Sequence, residues 1–85
     1  MSAVDTPDFA SLLRRYRRRS GLTQEELAER AGLSVASVSL LERGITLAPQ
    51  RATVSLLSET LTLTPDEAEA FAAIAARLLT QLEQK

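Results

Sequence analysis

Three glycines divide the first half of this 85-residue chain into short segments that repeat their apolar residues at helical spacing. In the first segment these residues stand at i, i+3, i+4 and i+7, which places them on one face of an α-helix. They are Phe9, Leu12, Leu13 and Tyr16. No segment alternates apolar and polar residues as a half-buried strand would. The spacing therefore predicts an all-α chain built from short helices.

Capping residues predict where the first three helices begin and end. Thr6-Pro7 has the pattern of an N-cap followed by proline at the first helical position. Thr23 and Glu26 have the spacing of a capping box, which predicts the start of a second helix. Ser34 is expected to cap a third helix that ends at Gly44, a typical left-handed terminator.

Two further helices follow a loop. The fourth is predicted from about Gln50 to Leu61. Thr64 and Glu67 form a second capping-box pattern, which opens a long final helix to about Gln84. The first four helices are each about 8–14 residues long, too short to be stable alone in water. We therefore expect five helices stacked around one core.

The composition excludes several classes of function. The chain contains no Cys, His, Trp or Asn, which rules out disulfides, thiolate or imidazole metal ligands and histidine-based catalysis. We therefore expect no enzyme activity, no cofactor and no metal site. The apolar runs fall far short of the roughly 18 residues of a membrane span, and Met1–Pro7 lacks the pattern of a signal peptide. The expected location is cytoplasmic.

The net charge of −1 hides an uneven distribution. Residues 9–51 carry eight arginines against four glutamates, a net charge of +4. Residues 52–85 carry two basic and five acidic side chains, a net charge of −3. A basic N-terminal half is thus joined to an acidic C-terminal half.

The segment from Thr23 to Gly44, TQEELAERAGLSVASVSLLERG, has the features of a helix-turn-helix. Its two short helices meet at Gly32, where a glycine permits a tight turn. Small side chains at Ala28 and Ala31 let the helices cross closely and leave the second one exposed.

Residues from Phe9 to about Leu63 resemble the Cro/cI-type (XRE) helix-turn-helix domain of the lambdoid phage repressors. The string LRRYRRRSGLTQEELAERAGLSVASVSLLERG carries the resemblance, which covers about two-thirds of the chain and extends to many actinobacterial regulators. It implies a five-helix, lambda-repressor-like fold and a sequence-specific transcriptional regulator whose partner is double-stranded DNA. We expect a DNA-binding domain over residues 6–63 and a C-terminal helix over residues 64–85.

The resemblance also implies roles for individual residues. Arg17 and Glu42 match a family pair that forms a buried salt bridge, and residues 34–43 match the recognition helix that enters the major groove. The base-reading residues would be Val35, Ala36, Ser37, Ser39 and Leu40. The contacts with the DNA backbone would be made by Arg18, Arg19, Thr23, Gln24, Arg43 and Arg51.

This recognition face is unusually apolar, because base readout normally uses Arg, Lys, Gln or Asn. An alternative hypothesis is a protein-interaction adaptor or antirepressor that keeps the scaffold and docks a protein partner. Its docking face would consist of Val35, Leu40, Ile45 and Leu47.

The final helix is apolar on more than one side, which predicts burial on more than one side. One side can pack on the fourth helix, and the other is expected to form a two-fold homodimer. The predicted dimer contacts are Phe71, Ile74, Leu78 and Leu82. The alternatives are a monomer with an alanine-rich closing helix, or a fragment whose last helix leads into a further domain.

Overall fold

A computed structural model describes residues 8–45 and 49–83, with side chains to residue 80, and in these ranges it holds five α-helices and no strand. The helices are α1 (Phe9–Arg19), α2 (Gln24–Ala31), α3 (Val35–Glu42), α4 (Arg51–Thr60) and α5 (Pro65–Glu83). The predicted all-α class and the five helices are therefore confirmed. Within the described ranges, no helix combines the length and the apolar character needed to cross a bilayer.

The start of α1 differs from the prediction. Asp8 is the N-cap residue: its backbone is extended, and its carboxylate accepts a hydrogen bond from the backbone N–H of Ser11 at 2.8 Å. The helix thus begins at Phe9, and the predicted start at Pro7 is wrong. Thr6-Pro7 itself lies outside the described residues. The physical reason is that an aspartate carboxylate caps a helix as well as a threonine hydroxyl does.

Both predicted capping boxes are present. In each, the glutamate backbone N–H donates to the threonine hydroxyl, and the threonine backbone N–H donates to the glutamate carboxylate. The distances are 2.9–3.1 Å for Thr23 with Glu26 and for Thr64 with Glu67. Gly32 ends α2 with φ of 75°, a left-handed conformation that glycine adopts without a steric penalty.

One hydrophobic core joins all five helices. Phe71 of α5 is wholly buried at its centre, stacked on Phe9 with 4.6 Å between ring centroids, while Tyr16 meets Phe71 edge-on at 5.8 Å. The core residues from the other helices include Leu13, Leu27, Ala28, Val38, Leu41, Val54 and Leu57. The aromatic contact ties α5 to α1, so α5 is part of the same core as the helix-turn-helix.

The packing of α5 rules out one predicted dimer contact. Phe71 has no exposed surface, so it cannot reach a second copy. Ile74 and Leu78 are half-buried against the core, and their contact with a second copy stays a prediction. The three residues share the apolar stripe that α5 turns toward α1 and α4. The side chain of Leu82 lies outside the described residues. The exposed side of α5 presents alanines instead, with Leu79 at its edge.

Candidate nucleic-acid interface

α2 and α3 form a closely packed pair whose turn is fixed by backbone hydrogen bonds. The N–H of Leu33 donates to the carbonyl of Ala28 at 2.8 Å, which closes the end of α2 around Gly32. Ala28 and Ala31 are buried at the crossing, and Val38 and Leu41 turn inward from α3. The sequence predicts the close approach at Ala28 and Ala31, and their burial agrees with it.

A buried polar network connects this pair to α1. The carboxylate of Glu42, in the last turn of α3, accepts hydrogen bonds from Arg17 at 2.5 Å (Nε to Oε2) and 2.9 Å (Nη2 to Oε1). The amide of Gln24 donates to the same Oε1 at 3.0 Å, and Nη1 of Arg17 reaches the carbonyl of Leu22 at 2.9 Å. Arg17 of α1 and the Glu42 carboxylate connect three places. These are the first turn of α2 at Gln24, the end of α3 at Glu42, and the loop between α1 and α2 at Leu22.

Glu42 stays ionised in this setting although it is buried. Burial alone would raise the pKa of its carboxyl group, but the hydrogen bonds from Arg17 and Gln24 and the positive charges of Arg17 and Arg14 outweigh that effect. The pKa of Glu42 is therefore held below its ordinary value. The charged carboxylate can then keep both donors in place.

Arg14 adds a contact that the sequence analysis missed. Its guanidinium donates to the backbone carbonyl of Glu42 and, at 3.2 Å, to the hydroxyl of Ser11. A carbonyl at the end of a helix lacks an intrahelical partner, so a cation there supplies both a hydrogen bond and favourable charge. Arg14 and Arg17 thus hold the C-terminal end of α3 from the same face of α1.

The outward face of α3 consists of the five predicted base-reading residues. Val35, Ala36, Ser37 and Leu40 are exposed, and Ser39 is half-buried. Val35 and Leu40 leave 42% and 38% of their surface in solvent, a large fraction for branched apolar side chains. Ser37 is bound to the cap residue: its backbone N–H donates to Ser34 at 3.0 Å, and its hydroxyl accepts from Ser34 at 2.9 Å. Their contact with DNA remains a prediction.

The predicted backbone contacts fall into two groups. Arg18, Arg43 and Arg51 are exposed at the ends of α1, α3 and α4. Thr23 and Gln24 instead make internal contacts, Thr23 in its capping box and Gln24 with the carboxylate of Glu42. In the free protein, the Gln24 amide group is therefore part of the buried network. The sequence did not predict this hydrogen bond.

Arg19 makes an ion pair that the sequence did not predict. Its guanidinium binds the carboxylate of Glu67 in α5 through two hydrogen bonds of 2.6 and 3.0 Å, and it lies 4.8 Å from the ring centroid of Tyr16. These contacts turn Arg19 toward α5, but they use two of its five N–H donors and leave 48% of its side chain exposed. Its contact with a phosphate stays a prediction. Among the described residues, no group of three acidic side chains is placed to hold a metal ion.

Comparison with known proteins places this architecture in a family. The sequence model of the helix-turn-helix domain matches residues 8–71, about three-quarters of the chain. A protein of Methanothermobacter thermautotrophicus, named as an uncharacterized HTH-type transcriptional regulator, is 50% identical over 34 residues, which are 40% of this chain and 49% of that protein. The chain thus spans about half the length of this curated relative. No solved structure matches. Because the family match covers most of the chain and ends at the core residue Phe71, the protein belongs to the helix-turn-helix domain family.

Proposed function

We propose that the protein is a sequence-specific, DNA-binding transcriptional regulator of the Cro/cI (XRE) type that inserts α3 into the major groove. The helix-turn-helix is an architecture in which the second helix reads base edges with its N-terminal residues. The observation that carries the proposal is the exposed outward face of α3, fixed from behind by Arg17, Gln24 and Glu42. A preformed, exposed helix can enter the groove without rearranging the core.

The charge distribution supports contact with the DNA backbone. Arg43 follows α3 directly, Arg51 begins α4 and Arg18 lies at the end of α1, and all three are exposed. They belong to the half of the chain with a net charge of +4. Each arginine that neutralises a phosphate releases counterions, so affinity should fall steeply as salt is added.

A homodimer is part of the proposal, since one copy offers few phosphate contacts. A two-fold dimer would place two α3 helices in successive major grooves, about 34 Å apart. We assign the dimer contact to the groove of about 410 Å³ between α4 and α5, whose lining includes Val54, Ala72, Ala76 and Leu79. Sedimentation equilibrium tests this: Leu79→Glu should give a monomer, whereas Leu56→Glu, at an equally exposed leucine of α4, should not. A monomeric wild type would contradict the dimer.

Duplex titration tests DNA binding directly. Fluorescence polarisation with random duplex and with duplexes selected from a random pool, each at two salt concentrations, should show tighter and salt-dependent binding of selected sites. Arg43→Ala should reduce the salt slope by about one unit. Arg77→Ala removes an exposed arginine of α5 and serves as the matched control. Absence of salt-dependent binding above the non-specific level would rule out the proposal.

The apolar surface around α3 favours a second candidate, a protein-interaction adaptor. Val35, Leu40 and the 53%-exposed Ile45 offer apolar area beside α3, while Leu47, the fourth predicted docking residue, lies outside the described residues. If the protein is an adaptor, Leu40→Asp should abolish capture of a protein partner and leave DNA binding unchanged. If the substitution disturbs DNA binding alone, the adaptor is excluded.

A further inference from the structure

We propose that α3 recognises the C5-methyl groups of thymine, so that the operator is read by apolar contact rather than by hydrogen-bonded base edges. This inference rests on the proposed function and names the chemical feature of DNA that the same site recognises. It follows from the polar side chains that the structure binds inside the protein and from the side chains that remain on the outward face of α3.

The structure engages inside the protein the charged and amide side chains near α3 that could read bases with paired hydrogen bonds. Glutamate can accept from cytosine N4, but Glu42 is turned inward and buried. Glutamine can pair with adenine, but the amide nitrogen of Gln24 is bound to Glu42. Arginine can pair with guanine, but Arg17 is bound to the same carboxylate and to a backbone carbonyl. Arg17 and Gln24 both donate to the Glu42 carboxylate, so the three groups are bound to one another in the free protein.

The exposed face that remains carries only methyl-bearing side chains and hydroxyls. Ala36 and Leu40 stand one helical turn apart on its outermost ridge, opposite the buried Val38 and Leu41. Val35 adds a second branched side chain in the first turn of α3. Arg43 comes after the last turn, at the end away from the N-terminal residues that reach base edges.

Thymine supplies the matching chemistry. Its C5-methyl group is the apolar feature that the bases present in the major groove. Burying Leu40 against polar base edges would leave donors and acceptors without partners, whereas contact with a methyl group removes apolar surface from water on both sides. One helical turn of about 5.4 Å spans roughly one to two base-pair steps of 3.4 Å, so Ala36 and Leu40 can meet methyl groups on neighbouring pairs.

Four duplexes that differ at one position of a selected site test the inference. The position carries T·A, U·A, 5-methylcytosine·G or C·G, which separates the methyl group from the identity of the base pair. We expect the two methylated duplexes to bind better than their unmethylated counterparts, by about fourfold for each methyl group buried. The salt slope should be the same for all four, because no phosphate contact changes.

The side chain responsible is identified by a matched pair of variants. Leu40→Ala should abolish the methyl preference at the base pair that Leu40 contacts, whereas Leu56→Ala, which truncates a 40%-exposed leucine of α4, should retain it. Affinities that follow the base pair and ignore the methyl group, selected sites that lack thymine, or equal losses in both variants would overturn the inference and leave DNA binding standing. Failure to enrich any duplex with salt-dependent affinity would overturn the proposed function as well.

Discussion

Two arginines of α1 each hold a glutamate from a distant helix, and the two pairs differ in their burial. Arg17 binds Glu42 of α3 at 2.5 and 2.9 Å, and Arg19 binds Glu67 of α5 at 2.6 and 3.0 Å. Both pairs are bidentate. The side chains of the first pair are 13% and 2% exposed, and those of the second are 48% and 27% exposed.

The two pairs have similar hydrogen-bond geometry, but we expect them to contribute differently to stability. Water can replace either partner of an exposed pair, so breaking it has little effect on stability. A buried charge that loses its partner has no such replacement, and the desolvation penalty remains. The buried pair also sets the position of α3, whose outward face is the candidate DNA-reading surface. We therefore expect both stability and function to depend on Glu42 far more than on Glu67.

Glu42→Gln should have the largest effect. The substitution keeps the shape of the side chain but leaves the guanidinium of Arg17 without a counter-charge at a site that water hardly reaches. We expect the free energy of unfolding to fall by about 3 kcal/mol. Urea denaturation of both proteins measures the difference, with Glu67→Gln as the control. Equal losses in the two variants would show that burial does not separate the pairs.

Acid should weaken the wild type more than Glu42→Gln. The pKa of Glu42 is lower in the folded protein than its ordinary value of 4.5, so the stabilisation is fully present above the unfolded pKa and is lost as pH falls through the folded pKa. Hydrogen bonding to Arg19 likewise lowers the pKa of Glu67, to about 2. Stability should therefore decline below about pH 4.5. Urea denaturation at a series of pH values measures this decline. Parallel curves of unfolding free energy against pH for the wild type and Glu42→Gln would contradict the assignment to Glu42.

Local sequence was sufficient to predict the helices and most of their ends. Capping boxes and the glycine turn act within three or four residues, so Thr23, Ser34 and Gly32 are recognisable by spacing alone. The start of α1 was missed because the cap was assigned to Thr6-Pro7, whereas the carboxylate of Asp8 accepts from the backbone N–H of Ser11 and begins the helix. The Arg17–Glu42 pair was predicted only through resemblance to a family.

The spacing of residues along the sequence could not predict the long-range polar contacts. Arg19 and Glu67 are 48 positions apart, Arg14 and Glu42 are 28 apart, and neither pair leaves a local pattern. The orientation of α5 was misjudged for a different reason. Alanine occurs on both buried and exposed helix faces, so the many alanines of α5 did not reveal that the stripe containing Phe71 packs inward.

Gln24→Ala should have an intermediate effect. It removes one neutral donor to the Glu42 carboxylate and leaves both Arg17 hydrogen bonds in place. Hydrogen bonds to charged groups contribute about 1.5 kcal/mol or more, so we expect a loss near that value in urea denaturation. Glu29→Ala, at an exposed position of the same helix, is the control. A loss no larger than that of the control would mean that the Gln24 hydrogen bond does not stabilise the network.

The exposed pair should give the smallest effect and the strongest response to salt. Glu67→Gln keeps the capping box with Thr64, because glutamine can replace glutamate there, and it removes only the charge that binds Arg19. The stability loss should be smaller than for Glu42→Gln or Gln24→Ala and should shrink further at high salt, since counterions screen exposed charges but hardly reach buried ones. NMR titration provides an independent measurement. Added salt should raise the pKa of Glu67 from about 2 toward 4.5, whereas the pKa of Glu42 should stay lowered. Equal salt responses at the two carboxyl groups would mean that solvent reaches both pairs alike, and the contrast between them would then fail.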